Sequence, residues 1–180
     1  MSLLISGGLL YWCSQRSAQE QQEWLVEWAA EGLIPTRNRR ADAYHEIGHG
    51  LVGVVLGVEV SYISLERKIT EDGIQNGCTS YRKTSKENEA IMLVAGKLAN
   101  RISKAISSSD QDEARLKELF PDSQERVRVV RIAEEYALLI IEENGAALTE
   151  LAELLMQQGR VEGSTVREIV EKHRRTEQAA

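Results

Sequence analysis

The segment His45-Glu46-Ile47-Gly48-His49 constrains this chain most, because it places two of the three histidines and a glutamate in one predicted helix, Ala41–Leu56. Residues four apart share a helix face, so His45 and His49 would present their imidazoles side by side. Two neutral imidazoles can supply two ligands of a tetrahedral zinc site. Glu46 would lie close enough to a metal-held water to take its proton. A complete site would need a third ligand from another element.

The residues around this segment favour a metal site over a chance match. They are small and apolar, which predicts a buried helix, and unpaired histidines and a glutamate are costly to bury. Gly48 inside the helix costs about 1 kcal/mol relative to alanine. That cost indicates that another part of the chain approaches this face closely.

Length and composition narrow the class of protein. A chain of 180 residues, 42% hydrophobic and 28% charged, is typical of a globular domain with a sizeable core. The net charge of −6 argues against a nucleic-acid-binding protein, which would normally carry a basic surface. Cys13 and Cys78 form neither a disulfide framework nor a CxxC metal site, which favours a reducing, cytoplasmic location.

The N-terminal stretch Met1–Cys13 is apolar, but Ser6-Gly7-Gly8 interrupts it and no positive charge precedes it. It is too short to span a bilayer and lacks the basic start of a signal peptide. We therefore expect a packed N-terminus and no firm membrane span. The alternatives are a partner-binding segment and membrane association as the stub of a longer anchor.

The remaining patterns predict a mainly α fold, a helical bundle with a small β-hairpin after the zinc-binding helix. The strand Val58–Leu65 would pair with Cys78–Tyr81 across turns rich in Asp, Asn and Gly. Besides the zinc-binding helix, we expect helices at Ser17–Glu31, from Thr84 or Ser85 to Ala105, and at Asp110–Phe120, Pro121–Glu143, Ala146–Gln158 and Ser164–His173. We assign residues 1–36 to an N-terminal segment and helix, 37–175 to the main domain and 176–180 to a disordered tail.

The third zinc ligand has several acidic candidates, namely Glu66, Glu89, Asp110, Asp112 and Glu113. His173 lies in a polar, arginine-rich stretch and is expected to face solvent. Metzincins carry their third histidine six residues after the second, and Val55 at that place excludes this class. Taken alone, Asp110 is better explained as a helix N-cap than as a ligand.

The stretch Ala43–Val52, AYHEIGHGLV, resembles the AYHEAGHALV segment of the FtsH-type ATP-dependent zinc proteases. The resemblance covers roughly Ala41 to Val170, although only the HEIGH segment is specific. Further likenesses are the hairpin region Val60–Tyr81, the apolar segment Ala90–Ala99 around Gly96, the spacing of Asp110 to Ala114, and the closing helices in Ala133–Val170.

This resemblance implies a stand-alone zinc endopeptidase. Zinc would be held by His45, His49 and Asp110, with Glu46 as the general base. If the alignment of this chain to the family were shifted by two residues, Asp112 would take the place of Asp110 as the third ligand. A polypeptide substrate would lie extended along the strand Val58–Leu65.

The chain also departs from the family's pattern. It has no phosphate-binding glycine-rich loop with Lys-Ser/Thr, so we expect it to act without ATP unless a separate ATPase or a homo-oligomer assists it. Asn100-Arg101 replaces an acidic pair of the family.

One alternative function is that of an ImmA/IrrE-type regulatory metallopeptidase, with Glu89 as third ligand. Another is a catalytically silent, peptidase-like interaction module.

Overall fold

The computed structural model of the chain describes residues 7–32, 38–71, 73–104 and 110–178. The helices in these ranges are α1 (Gly7–Ser14), α2 (Ala18–Ala30), α3 (Arg39–Val55), α4 (Lys86–Ser103), α5 (Asp110–Leu119), α6 (Ser123–Glu143), α7 (Gly145–Gln158) and α8 (Gly163–Gln178). The strands are β1 (Val60–Ser64), β2 (Lys68–Thr70), β3 (Gly73–Gln75), β4 (Cys78–Tyr81) and β5 (Arg160–Glu162).

Two compact units make up the chain. The first contains Met1–Arg37 and Glu66–Cys78, and the second contains Asn38–Leu65 and Thr79–Ala180. The division after Arg37 lies one residue from the predicted boundary. The segment Glu66–Cys78 belongs to the first unit. The local sequence pattern did not predict this assignment.

The first unit contains α1, α2 and the antiparallel pair β2–β3. Its small core is formed by Cys13, Leu25 and Ile69. Ser17 begins α2 with a capping box, in which its hydroxyl and the Glu20 carboxylate each accept from the other residue's backbone N–H. Helix α1 was not predicted, because two glycines open it and its pattern is too short to show helical periodicity.

Helix α3 lies at the centre of the second unit, where it packs against α4, α6, α7, α8 and β1. Every residue from Ala41 to Gly53 is buried except Glu46, which is partly exposed. The prediction of a buried HEIGH helix is therefore confirmed. Within this stretch, the proposed base is thus the one residue that keeps some exposure to solvent.

Local capping interactions explain where the helices of this unit begin and end. Asn38, Ser85 and Asp122 each accept a hydrogen bond from a backbone N–H in the first turn of α3, α4 and α6, respectively. Gly159 ends α7 in the left-handed conformation, with φ of 76°, which glycine adopts without strain. Of the two predicted starts of α4, Thr84 and Ser85, the structure has Ser85 as the cap, and the predicted last residue of α7, Gln158, is confirmed.

A three-stranded sheet flanks α3, with the strand order β4-β1-β5. The predicted strands at Val58–Leu65 and Cys78–Tyr81 are present as β1 and β4. The third strand, β5, was not predicted, because Arg160–Glu162 is too short to show alternation; it pairs antiparallel with β1. Since β1 is the middle strand, both its edges are occupied, and the prediction of a peptide lying along Val58–Leu65 is wrong.

The mainly α fold class with a small β component is confirmed. Helix α8 runs to Gln178, beyond the predicted end at His173 and into the predicted tail. No helix in the described part of the chain is both long and apolar enough to cross a bilayer.

Gly163 is predicted to be required for the junction between α8 and β1. A Cβ atom at this position would overlap the backbone carbonyl of Val60. Because backbone cannot move aside as a flexible side chain can, Gly163→Ala should lower the free energy of unfolding by about 1–3 kcal/mol, as urea denaturation of the metal-free protein would measure.

The matched control for that variant is Gly145→Ala, also at the first residue of a helix. No heavy atom lies within 4 Å of a Cβ built there. This control should leave stability unchanged or raise it slightly. Equal stabilities for the two variants would contradict the described packing.

Candidate metal centre

His45 and His49 lie one turn apart on α3, and both side chains are buried. Their ring centroids are 4.5 Å apart, with the rings nearly perpendicular. The helix thus brings the two imidazoles together as the i, i+4 spacing predicts.

Asp112 of α5 completes a cluster with these histidines. Its Oδ2 atom lies 3.1 Å from Nε2 of His45 and 3.5 Å from Nε2 of His49. One ligand atom from each of the three residues lies within 4.8 Å of the others. Among the described residues, no other group of this kind brings three His, Cys, Asp or Glu side chains together.

The cluster fits a tetrahedral metal ion. Buried Oδ2 of Asp112 accepts no well-aligned hydrogen bond from any described residue, although two ring nitrogens are close to it. Zinc–ligand bonds of about 2.0–2.1 Å in a tetrahedron separate the ligand atoms by about 3.3–3.4 Å. The separations of Asp112 Oδ2 from the two Nε2 atoms, 3.1 and 3.5 Å, bracket this value. Two of the three ligand-atom separations therefore match those of a tetrahedral zinc site, and all three atoms lie within 4.8 Å of one another.

The structure brings Asp112, not Asp110, to the histidines. Residues two apart point to opposite sides of a helix, so only one of these aspartates can face α3. Asp112 shares a face of α5 with buried Leu116 and Leu119, at spacings of four and seven residues. Asp110 is the exposed first residue of α5. The prediction of Asp110 came from the residue spacing in the FtsH-type proteases. The apolar periodicity of α5 instead indicates Asp112, because it shares a face with Leu116 and Leu119.

Glu89, the ligand of the ImmA/IrrE-type alternative, has a different partner. Its buried carboxylate accepts a hydrogen bond from Nε of Arg115 at 2.8 Å, and Tyr81 Oη lies 3.5 Å from it. Arg115 is on α5, one turn after Asp112. The Glu89–Arg115 pair therefore ties α4 to the part of α5 that carries the third candidate ligand.

The other acidic candidates are also outside the cluster. Glu66 is exposed and pairs with Lys68, and Glu113 is exposed on α5. His173 contacts Glu150 through Nε2 at 2.7 Å on the surface of the second unit. It is partly buried rather than fully solvent-facing as predicted.

The backbone of α4 orients the imidazole of His49. Nδ1 of His49 lies 2.6 Å from the carbonyl oxygen of Met92. Because a carbonyl only accepts, Nδ1 must carry a proton, and Nε2 is the ring nitrogen that faces Asp112. Such a hydrogen bond on the far side of the ring is typical of metal-binding histidines.

Two glycines allow α3 and α4 to approach each other at this point. A Cβ on Gly96 would lie 2.5 Å from Cε1 of His49 and 2.8 Å from Cε1 of His45. A Cβ on Gly48 would lie 2.7 Å from the carbonyl oxygen of Ala95. The expected close approach at Gly48 is thus confirmed. Gly96 provides the space in which both rings lie.

Thr79 of β4 contacts Glu46, whose carboxyl group is close enough to His49, His45 and Asp112 for their charges to influence its pKa. The hydroxyl of Thr79 lies 2.9 Å from both the carbonyl oxygen and Oε2 of Glu46. A hydroxyl has one proton to donate, so both contacts can be hydrogen bonds only when the carboxyl group carries a proton. Thr79 thus orients the carboxylate and can accept from its protonated form.

Charge and burial together set the protonation of the cluster. Burial by itself lowers the pKa of His49, but the Asp112 carboxylate overcomes this effect and raises it to about 9. Burial by itself raises the pKa of Asp112, but the positive charge on His49 and the contact with His45 hold it below its usual range. Desolvation raises the pKa of Glu46. A metal ion binding here must displace the proton on His49.

No protein-family model matches the chain, and no curated protein matches it. The FtsH-type resemblance therefore stays a prediction drawn from the quoted residues.

The identity of the third ligand can be tested with two asparagine variants. Asp112→Asn should weaken zinc binding by about 100-fold, because an amide oxygen is a much poorer zinc ligand than a carboxylate. Asp110→Asn should bind zinc as the wild type does. Competition with a chromogenic chelator measures both affinities. The reverse outcome would restore Asp110 as the ligand.

Gly96→Ala should also weaken zinc binding, although it removes no ligand. The added methyl group would displace both imidazoles from the position that faces Asp112. We expect a loss of about 10-fold or more in zinc affinity, comparable to the loss of an orienting group. Gly145→Ala is the matched control and should bind zinc normally. Unchanged zinc affinity in Gly96→Ala would show that the rings do not need this space.

Proposed function

We propose that the chain is a zinc-dependent metallopeptidase domain that hydrolyses peptide bonds in polypeptides. The observation that carries the proposal is the cluster of His45, His49 and Asp112 close to Glu46. Two histidines and a carboxylate are a ligand set found in zinc peptidases, where the fourth position stays open for water. The quoted FtsH-type resemblance supports the same class of reaction.

In this proposal zinc supplies a Lewis acid that polarises the scissile carbonyl and lowers the pKa of a water molecule. Glu46 accepts the proton of that water and later transfers it to the leaving amine. Its raised pKa suits a group that must hold a proton between these steps. Thr79 keeps the carboxylate oriented during both transfers.

The edge of β4 is the place that best suits an extended substrate. β4 ends the three-stranded sheet, and among the described strands only β1 pairs with it. Thr79 of this strand contacts Glu46 directly. A peptide that adds to the outer edge of β4 by main-chain hydrogen bonds would therefore pass close to the base. This edge replaces the Val58–Leu65 strand in our substrate proposal.

The ImmA/IrrE-type alternative is less well supported, since Glu89 pairs with Arg115 and is not part of the cluster.

The substrates of the proposed peptidase would be unfolded or extended chains, delivered by a separate ATPase or engaged by a homo-oligomer. The free thiols Cys13 and Cys78 support a cytoplasmic site of action.

Glu46→Gln tests the role of the base. This variant should bind zinc and unfold at the same temperature as the wild type, because the amide keeps the shape of the side chain. It should lose about 100-fold or more of its peptidase activity, because an amide cannot accept the proton of water. Release of fluorescent peptides from a labelled, unfolded protein measures this activity.

Glu153→Gln, an exposed position on α7, is the matched control and should stay fully active. Peptidase activity of Glu46→Gln near the wild-type rate would exclude Glu46 as the base. A zinc-loaded wild type that cleaves none of a diverse set of unfolded proteins would instead favour the silent interaction module.

A further inference from the structure

Helix α6 carries an apolar stripe on its outer side. Ile132, Tyr136 and Leu139 are 48%, 56% and 57% exposed, respectively. Their spacings of four and three residues place them on one face. Single exposed apolar residues are ordinary on protein surfaces, whereas three neighbours on one helix face form an apolar patch of the kind that contact surfaces use.

The inner side of the same helix is already occupied. Ala133, Ala137, Ile140 and Ile141 are buried in the core of the second unit, where α6 packs against α4. The outer stripe is therefore not needed for the fold of this unit.

Opposite charges border the two ends of the stripe. Arg128 lies four residues before Ile132, and Glu143 lies four residues after Leu139. Both are exposed, and neither forms an ion pair with another described residue. The stripe thus has a basic end, an apolar middle flanked by exposed Glu135, and an acidic end, and each charged end lies four residues from the nearest apolar residue of the stripe.

This symmetry favours a second copy of the chain as the partner. When two copies of α6 lie antiparallel, Arg128 of each faces Glu143 of the other, and Ile132 of each faces Leu139 of the other. Such an arrangement is self-complementary about a two-fold axis, as the isologous contact of a dimer requires. Another protein would need no such symmetry in the stripe.

We propose that two copies of the chain associate through the outer face of α6, packed antiparallel about a two-fold axis near Tyr136. The apolar stripe forms the centre of the contact, and the Arg128–Glu143 pairs fix its direction. Electrostatic complementarity of this kind determines the relative orientation of the two copies more than it determines the affinity of the dimer.

Charge reversal tests the proposal with the full chain. Arg128→Glu alone, or Glu143→Arg alone, should weaken dimerisation by about 10-fold or more, because each places two like-charged pairs in the contact. An equimolar mixture of the two variants should recover dimers, since both pairs are then opposite in charge. Sedimentation velocity over a range of concentrations measures the dimer dissociation constant.

Arg167→Glu and Glu168→Arg on α8 are the matched controls, because they make the same charge changes at exposed positions outside the stripe. Neither should alter dimerisation. A wild type that stays monomeric at all concentrations would overturn the proposal. So would dimers that withstand Arg128→Glu, or single variants that fail to recover on mixing while their thermal unfolding stays normal.

Discussion

The close packing of α3 on α4 is the constraint on which the candidate site depends. Gly48 lets the backbone of α4 approach α3, and Gly96 leaves room for both imidazoles against α4. The same approach brings the Met92 carbonyl within hydrogen-bonding distance of His49. The absence of a side chain at Gly48 and Gly96 thus leaves room for the two histidines, and the Met92 carbonyl holds the Nδ1 proton of His49.

Burying charged and polar groups beside this contact is costly unless they find partners. The structure meets this requirement with the carboxylate of Asp112 facing two imidazoles. The Glu89–Arg115 pair meets the same requirement one turn along α5 and ties that helix to α4. The third candidate ligand is therefore held by an ion pair outside the cluster, not by the metal site alone.

The HEIGH segment was sufficient to predict the helix, its burial and the pairing of His45 with His49, because all three follow from local periodicity. The third ligand required a long-range contact, and the spacing argument chose Asp110 where the structure brings in Asp112. The order of strands around β1 was equally non-local, since β5 joins the sheet from about 100 residues further along the chain. Within α5, the apolar positions Leu116 and Leu119 held the local information that identifies Asp112.

Anomalous diffraction at the zinc absorption edge, from crystals of the zinc-loaded protein, tests the central claim most directly. We predict one anomalous peak per chain, about 2 Å from Nε2 of His45, Nε2 of His49 and a carboxylate oxygen of Asp112. A peak coordinated by Asp110 or Glu89 in place of Asp112 would contradict this ligand set. The absence of any peak beside α3 would contradict the metal centre itself.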